Sequence, residues 1–324
     1  MTTTLLITGV STYWGARVAA ALAAEKGDDV RLLGFDAKPP QNDLPNLEFT
    51  RGSLTNPLTV DWLNAEQVET VLYFDSPAEK NGSVFLALCA EAGVRRLILK
   101  SSTMVYGARP SNPLYMDETH ARDPKLPRAV QPLVELEAFA NSLAAQNPDL
   151  SLTILRFAHL LGPTADTPLA RFLLDDRAPT LLGFNPLFQL LHEEDAVAAL
   201  TYAALNDLPG TYNLAADDAL PLNRILALAG KLPLPLAYPL AEKLPPRLKP
   251  LPIEHLRYPC LGSLARMQNE FGFTPTHTAE ETVTEFATEV RQTRYMPNAL
   301  DAVTTPLRGL IQRLTRSGTE EDSE

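Results

Sequence analysis

Glycine is scarce in this chain, with 16 residues in 324, against roughly 7% in average usage. Any function that leans on glycine turns must therefore do so with few of them. Cysteine is nearly absent. Cys89 and Cys260 lie far apart and form no metal-ligand pattern, so no metal is expected, and a reduced cytoplasm is the simplest compartment. Basic charge is also short, with 28 Lys+Arg against 39 Asp+Glu and a net charge of −11. That field repels phosphate backbones, and no dense basic run offsets it, so no nucleic-acid partner is expected. No apolar run approaches the roughly 20 residues of a membrane span. The opening MTTTLLITGV lacks the basic n-region of a secretory signal. In excess is proline, with 28 residues. The 45% hydrophobic and 21% charged content is an ordinary globular balance, which excludes wholesale disorder. The length suggests two domains, or one large domain with a lobe.

The first 160 residues alternate in type. Apolar runs at 5–10, 30–35, 47–50, 68–74, 96–100 and 150–157 read as strands. Between them, 16–26, 57–66, 84–92 and 133–145 read as helices, the last with apolar positions 133, 134, 136, 139, 140 and 143 at helical spacing. Strict alternation implies parallel strands with crossover helices on both faces. The fold class is therefore α/β, a Rossmann-type doubly wound parallel sheet with a smaller C-terminal substrate lobe. Ligands of such sheets sit beyond the carboxyl ends of the strands. The expected division is 1–160, with 190–216 returning to it, then a lobe from 161–189 and 217–296, then a tail at 297–324. Residues 168–176 read as a short helix and 211–215 as a strand. The stretch 233–259 holds eight prolines, too many for regular helix or sheet; it reads as an irregular wrap over a cleft or as a surface connection. In the tail, Leu307, Leu310, Ile311 and Leu314 share one helical face flanked by arginines. That face, within 306–316, suits a helix docked on the protein or a partner, or a peripheral membrane contact. The acidic last residues read as disordered.

The segment Thr8-Gly9-Val10-Ser11-Thr12-Tyr13-Trp14-Gly15 follows a predicted strand and opens a predicted helix. Lys100-Ser101-Ser102-Thr103-Met104-Val105-Tyr106-Gly107 closes the fifth strand. Together these resemble the TGxxGxxG turn and the SSxxVYG motif of extended short-chain dehydrogenases/reductases, the NAD-dependent epimerase/dehydratase family. Glu270-Phe271-Gly272-Phe273-Thr274-Pro275 resembles that family's C-terminal signature, so the resemblance covers about residues 4–290. It implies NAD as cofactor, held by Gly9, Ser11, Thr12, Tyr13, Trp14, Gly15, Asp36, Ser53, Leu54, Phe74 and Ser101. In such turns one glycine makes the tight bend, one lets backbone approach the pyrophosphate, and one packs helix on strand. Here the middle glycine is Thr12, whose Cβ and hydroxyl intrude toward the phosphate, or whose hydroxyl caps the helix. Asp36 ends the second strand; an acid there accepts from adenosine ribose hydroxyls and favours NAD over NADP. Read alone it is a solvated strand-end aspartate. Ser53 stands where the family carries an acid near adenine.

By the same resemblance Ser102 hydrogen-bonds the reacting hydroxyl or carbonyl. The family's YxxxK pair, a proton-exchanging tyrosine with a lysine that lowers its pKa, is missing: none of the nine tyrosines has Lys four residues on. Counting back from Glu137, the tyrosine slot is Ala129 and the lysine slot Leu133. Pro132 suits only the first turn of a helix. Lys125, Arg128, Tyr106 and Tyr115 are the nearest cations and phenols in sequence. His159 and Gln189 join Ser102 as substrate contacts, and Phe188 replaces an arginine that nucleotide-sugar epimerases use for the diphosphate. His192-Glu193-Glu194-Asp195 reads as lobe-building rather than metal-binding. The resemblance is to a bacterial subgroup, loosely UDP-glucose-4-epimerase-like, in which the active-site tetrad is often incomplete; a homodimer is usual for the family. Two functions follow. One is an NAD-dependent oxidoreductase or epimerase acting on a sugar or other hydroxy/keto substrate. The other is a non-catalytic module that senses NAD(H) or a metabolite.

Overall fold

The computed structural model describes residues 3–25, 30–42, 44, 46–74, 81–120, 126–128, 130–245 and 250–295. Ala129, Lys125 and the whole tail at 297–324, with its 306–316 face, lie outside them. The first half alternates strand and helix: β1 Thr3–Thr8, α1 Tyr13–Glu25, β2 Val30–Asp36, β3 Leu47–Arg51, α2 Thr59–Ala65, β4 Thr70–Tyr73, α3 Asn81–Glu91 and β5 Arg96–Ser102. After a short strand β6, Tyr115–Met116, come α4 Gln131–Gln146 and β7 Ser151–Phe157. The second half runs β8 His159–Leu161, α5 Pro168–Phe172, β9 Arg177–Leu181, β10 Leu187–His192, α6 Glu193–Leu205, β11 Gly210–Leu214, β12 Ala219–Pro221, α7 Leu222–Leu228, β13 Leu232–Leu236, α8 Tyr238–Glu242, β14 Leu261–Gly262 and α9 Ala279–Tyr295.

The main sheet has seven strands in the order β11-β7-β5-β4-β1-β2-β3, and every pairing in it is parallel. Chain order reverses direction between β1 and β4, which opens a crevice at their carboxyl ends. Strands buried on both faces read as continuous apolar runs: β4 is buried at all four residues, whereas the edge strand β3 is not buried at any. Helix α1 buries Gly15, Val18, Ala19 and Leu22, one stripe of its surface. It packs on α6, whose Ala196, Ala199, Leu200 and Ala203 share that core; small side chains let the two helices approach.

Smaller sheets build the rest. β10 pairs with β8 and β12, β13 with β9, and β14 with β6. The proline-rich stretch is more regular than its composition suggests. Leu232–Leu236 forms a strand because Pro233 and Pro235 alternate with residues that face β9: Leu232 N–H donates to Asp176 and Leu236 C=O accepts from Leu182. The missing N–H groups therefore point away from the partner strand. Pro239 sits in the first turn of α8, where its lost donor costs nothing. Pro132 likewise occupies the first turn of α4. Among the described residues no helix is long and apolar enough to cross a membrane.

Candidate functional site

The phosphate-type turn is built from backbone needs. Gly9 sits at φ 63°, in the left-handed region that glycine tolerates. A Cβ on Gly15 would meet the Gly9 carbonyl oxygen at 2.2 Å, so only glycine lets α1 start there. Thr12 turns its hydroxyl inward: it donates to Gly9 O at 2.6 Å and accepts from the Gly15 amide at 3.2 Å. That is an N-cap. The Ala16 amide donates to Thr12 C=O, and no described residue accepts from the Tyr13 or Trp14 amide at this positive helix end. The Asp36 carboxylate accepts from the amides of Ser11 at 2.9 Å and Lys38 at 3.2 Å, which ties the turn to the end of β2. The Gly52 amide donates to Asp36 C=O. Ser53 beside it is exposed and Leu54 is buried. The Phe74 amide donates to Thr8 Oγ1 at 3.2 Å, locking β4 to β1 at the crevice. Tyr13, Arg17, Glu193, Glu194 and Thr164 form one network over the start of α1. Burial, then the bond to Glu193, pushes the Tyr13 phenol up to about 12.

A two-phosphate dinucleotide needs free amides at a helix start, an acid at the end of β2 and room beside the sheet. All three are present. A cavity of about 420 Å³ borders Ser11, Thr12, Tyr13 and Arg17. A second, of about 430 Å³, borders Trp14, Lys100, Ser101, Ser102, Leu133 and His159. The chain therefore fits the dinucleotide, with Thr12 spending its hydroxyl within the turn.

The two serines of β5 part company. Ser101 is buried, and its hydroxyl donates to Glu137 on α4. Glu137 also takes a two-point ion pair from Arg156, at 3.1 and 2.7 Å. Arg156 donates on to Tyr106, whose hydroxyl donates to Asn213 at 2.7 Å. Ser102 Oγ accepts from the Met104 amide at 3.2 Å, which leaves its proton to donate into the cavity. Lys100, two residues back and on the same strand face, lines that cavity with its Nζ 5.1 Å from the Trp14 ring centroid. Burial pushes its ammonium down to about 8.

His159 lines the cavity against Phe188 and His255. Burial, then His255, pushes it down to about 3, and burial pushes His255 to about 4. Gln189, expected at the substrate, is instead buried. Its amide is spent on Gly262, at 3.0 Å to the carbonyl and 2.7 Å from the N–H, so it pins β10 to β14. Of the cations and phenols nearest in sequence, Lys125 lies outside the described residues, and the three described ones do not supply the cavity. Tyr106 is enclosed in the Arg156 network, Tyr115 is 52% exposed on β6, and Arg128 is exposed. Among the described residues the cation that reaches the cavity is Lys100, legible only by counting two back from Ser102. Leu133, the lysine slot, and Val130 form the α4 wall. His192 caps α6 by accepting from the Glu194 amide at Nδ1. Its Nε2 therefore keeps the proton, and although His192, His277 and Glu285 place ligand atoms within 4.8 Å of one another, that nitrogen is not free to coordinate.

The model of the NAD-dependent epimerase/dehydratase family matches residues 5–215. An uncharacterised protein of Mycobacterium bovis is 32% identical over 252 residues, 71% of this chain and 67% of that one. Among solved structures, MoeE5 in complex with UDP-glucuronic acid and NAD superposes with a TM-score of 0.69 at 21% identity, over 89% of this chain and 99% of that one. The UDP-glucose 4-epimerase of Thermotoga maritima with UDP-glucose gives 0.68 at 17% identity, over 90% and 99%. These two likenesses show the fold. With the family model spanning the turn, β5 and β11, the chain belongs to the NAD-dependent epimerase/dehydratase family.

Proposed function

We propose that this chain binds NAD and catalyses oxidoreductase- or epimerase-type chemistry on a small molecule bearing a hydroxyl or keto group. The observation that carries the reading is Ser102. Its hydroxyl stands at the carboxyl end of β5, in a cavity bordering Trp14 of the phosphate-type turn, with its proton unspent. The Tyr13 and Trp14 amides would hold the pyrophosphate and Asp36 the adenosine ribose. NAD, when bound, supplies the hydride acceptor. Ser102 orients the substrate oxygen, and Val130, Leu133, Phe157 and Leu160 exclude water from it. So apolar a lining, with Phe188 buried against His159, favours a hydroxy/keto substrate less polar than a nucleotide sugar.

The second reading, a non-catalytic sensor of NAD(H) or a metabolite, is favoured by one observation: Leu133 fills the wall where the family's lysine stands. Calorimetric titration with NAD, NADH and NADPH tests both. NAD and NADH are expected to bind, and NADPH more weakly; no heat at millimolar cofactor overturns both readings. If NAD binds, turnover on a ketone panel that is lost in Ser102→Ala supports the enzyme. Zero turnover in both proteins leaves the sensor.

A further inference from the structure

We propose that Lys100 is the proton-exchanging residue of this site, delivered by strand β5 in place of helix α4, and that it takes or returns the proton of the substrate oxygen that Ser102 holds. The inference rests on the enzyme reading above and names the residue that reading lacks.

Placement comes first. Strand alternation puts Lys100 and Ser102 on one face of β5, and both line the same cavity. Around the start of α4 the described lining residues are Val130, its N-cap, and Leu133, which exchange no protons. Among the described residues, the other titratable groups on the lining are His159 and Asp166. Asp166 is committed to Arg171 at 2.5 Å on the exposed rim. His159 is held neutral by burial and by His255 behind it, so it does not accept a proton near neutral pH.

Lys100 differs from both. No described carboxylate lies within ion-pair distance of it; its Nζ stands 5.1 Å from the Trp14 ring centroid. The side chain is half-buried, and an ammonium partly withdrawn from water with no anion beside it carries a desolvation cost. Burial brings its pKa to about 8, within the range where a side chain both accepts and releases protons at working pH. In the forward direction the neutral amine forms a new N–H bond as the substrate O–H bond breaks. The O–H electron pair becomes the second C–O bond, and the hydride leaving carbon goes to an oxidised nicotinamide dinucleotide. The reverse direction returns the proton from the ammonium to the new hydroxyl.

The test uses the full chain, Lys100→Met and Lys100→Arg. Pulse acetylation with acetic anhydride across pH, read by mass spectrometry, is expected to give a Lys100 labelling midpoint near 8. In turnover of NADH with cyclohexanone and dihydroxyacetone, both variants are expected to lose about 100-fold or more, with NAD affinity within a few-fold by calorimetry. The arginine keeps the charge but not the exchange, so its loss separates proton transfer from charge placement. A Lys100 midpoint near 10, or Lys100→Arg turning over as the parent does, overturns the inference while NAD binding preserves the reading beneath it. Absence of NAD binding overturns both. If NAD binds but neither ketone reacts, the enzyme reading falls and the inference with it, whatever the labelling midpoint.

Discussion

Strand β5 separates two regions that use polar side chains in opposite ways. On the Ser101 side, Glu137, Arg156, Tyr106 and Asn213 are buried and spend their groups on one another. On the Lys100 and Ser102 side, the ammonium has a ring for a neighbour and the hydroxyl keeps its proton. A buried polar group that is satisfied specifies the fold. One left unspent beside a cavity is available to a ligand. Adjacent residues of one strand, Ser101 and Ser102, thus belong to structure and to chemistry respectively.

Breaking the satisfied side should cost most. Glu137→Ala strands the buried Arg156 guanidinium and is expected to destabilise by about 3–5 kcal/mol, read as a lowered urea midpoint; a loss under about 1 kcal/mol would dissolve the contrast. Ser101→Ala removes one hydrogen bond to a charged acceptor, for about 1.5–3 kcal/mol. Ser102→Ala is expected to stay within roughly 1 kcal/mol, and equal losses in the two would show that the strand faces do not differ.

The cavity side should reveal itself through pH. His159 and His255 are held neutral at pKa values of about 3 and about 4, below the unfolded value of about 6.5. As pH falls through about 6.5 the unfolded chain takes protons that the folded chain refuses, so stability declines between about pH 6.5 and 4. The expected slope is about 1–2 kcal/mol per pH unit for the pair, discounted because His159 keeps some surface on the cavity. Urea midpoints at pH 7, 5.5 and 4.5 measure it, and a His159→Asn/His255→Asn double variant that keeps the full slope would assign it elsewhere. The smallest effect has the same pH sign, stability rising with pH, but here removing the group is expected to stabilise the fold. Lys100 is depressed to about 8, from about 10.4 when unfolded, so its charge weakens the fold below pH 8 and the penalty lifts between 8 and 10. Lys100→Met should gain on the order of 1 kcal/mol at pH 7, partly offset by the lost ring contact, and nothing at pH 10. A destabilised variant at pH 7 would place Lys100 with the satisfied groups.

Much of the fold was legible in the residues. Strands 5–10, 30–35, 68–74 and 96–100 fall where the apolar runs put them, and 211–215 joins the main sheet as β11, because period and turn chemistry act locally. In the proline-rich segment composition hides spacing: Pro233 and Pro235 alternate, and a strand paired on one side tolerates that. Gln189 and Ser101 could not be assigned from sequence. Their partners, Gly262 and Glu137, lie 73 and 36 residues away.

The sequence by itself determined the parallel α/β sheet, the turn at Gly9–Gly15 and the motif ending β5, since each depends on neighbours in the chain. Tertiary structure alone decided which polar groups are spent. It gave Ser101 an acid from α4, gave Gln189 a backbone partner from β14, and walled the cavity with Leu133 while leaving Lys100 beside Ser102. Hydrogen-bond satisfaction is a property of what packs together, and chain order does not state it.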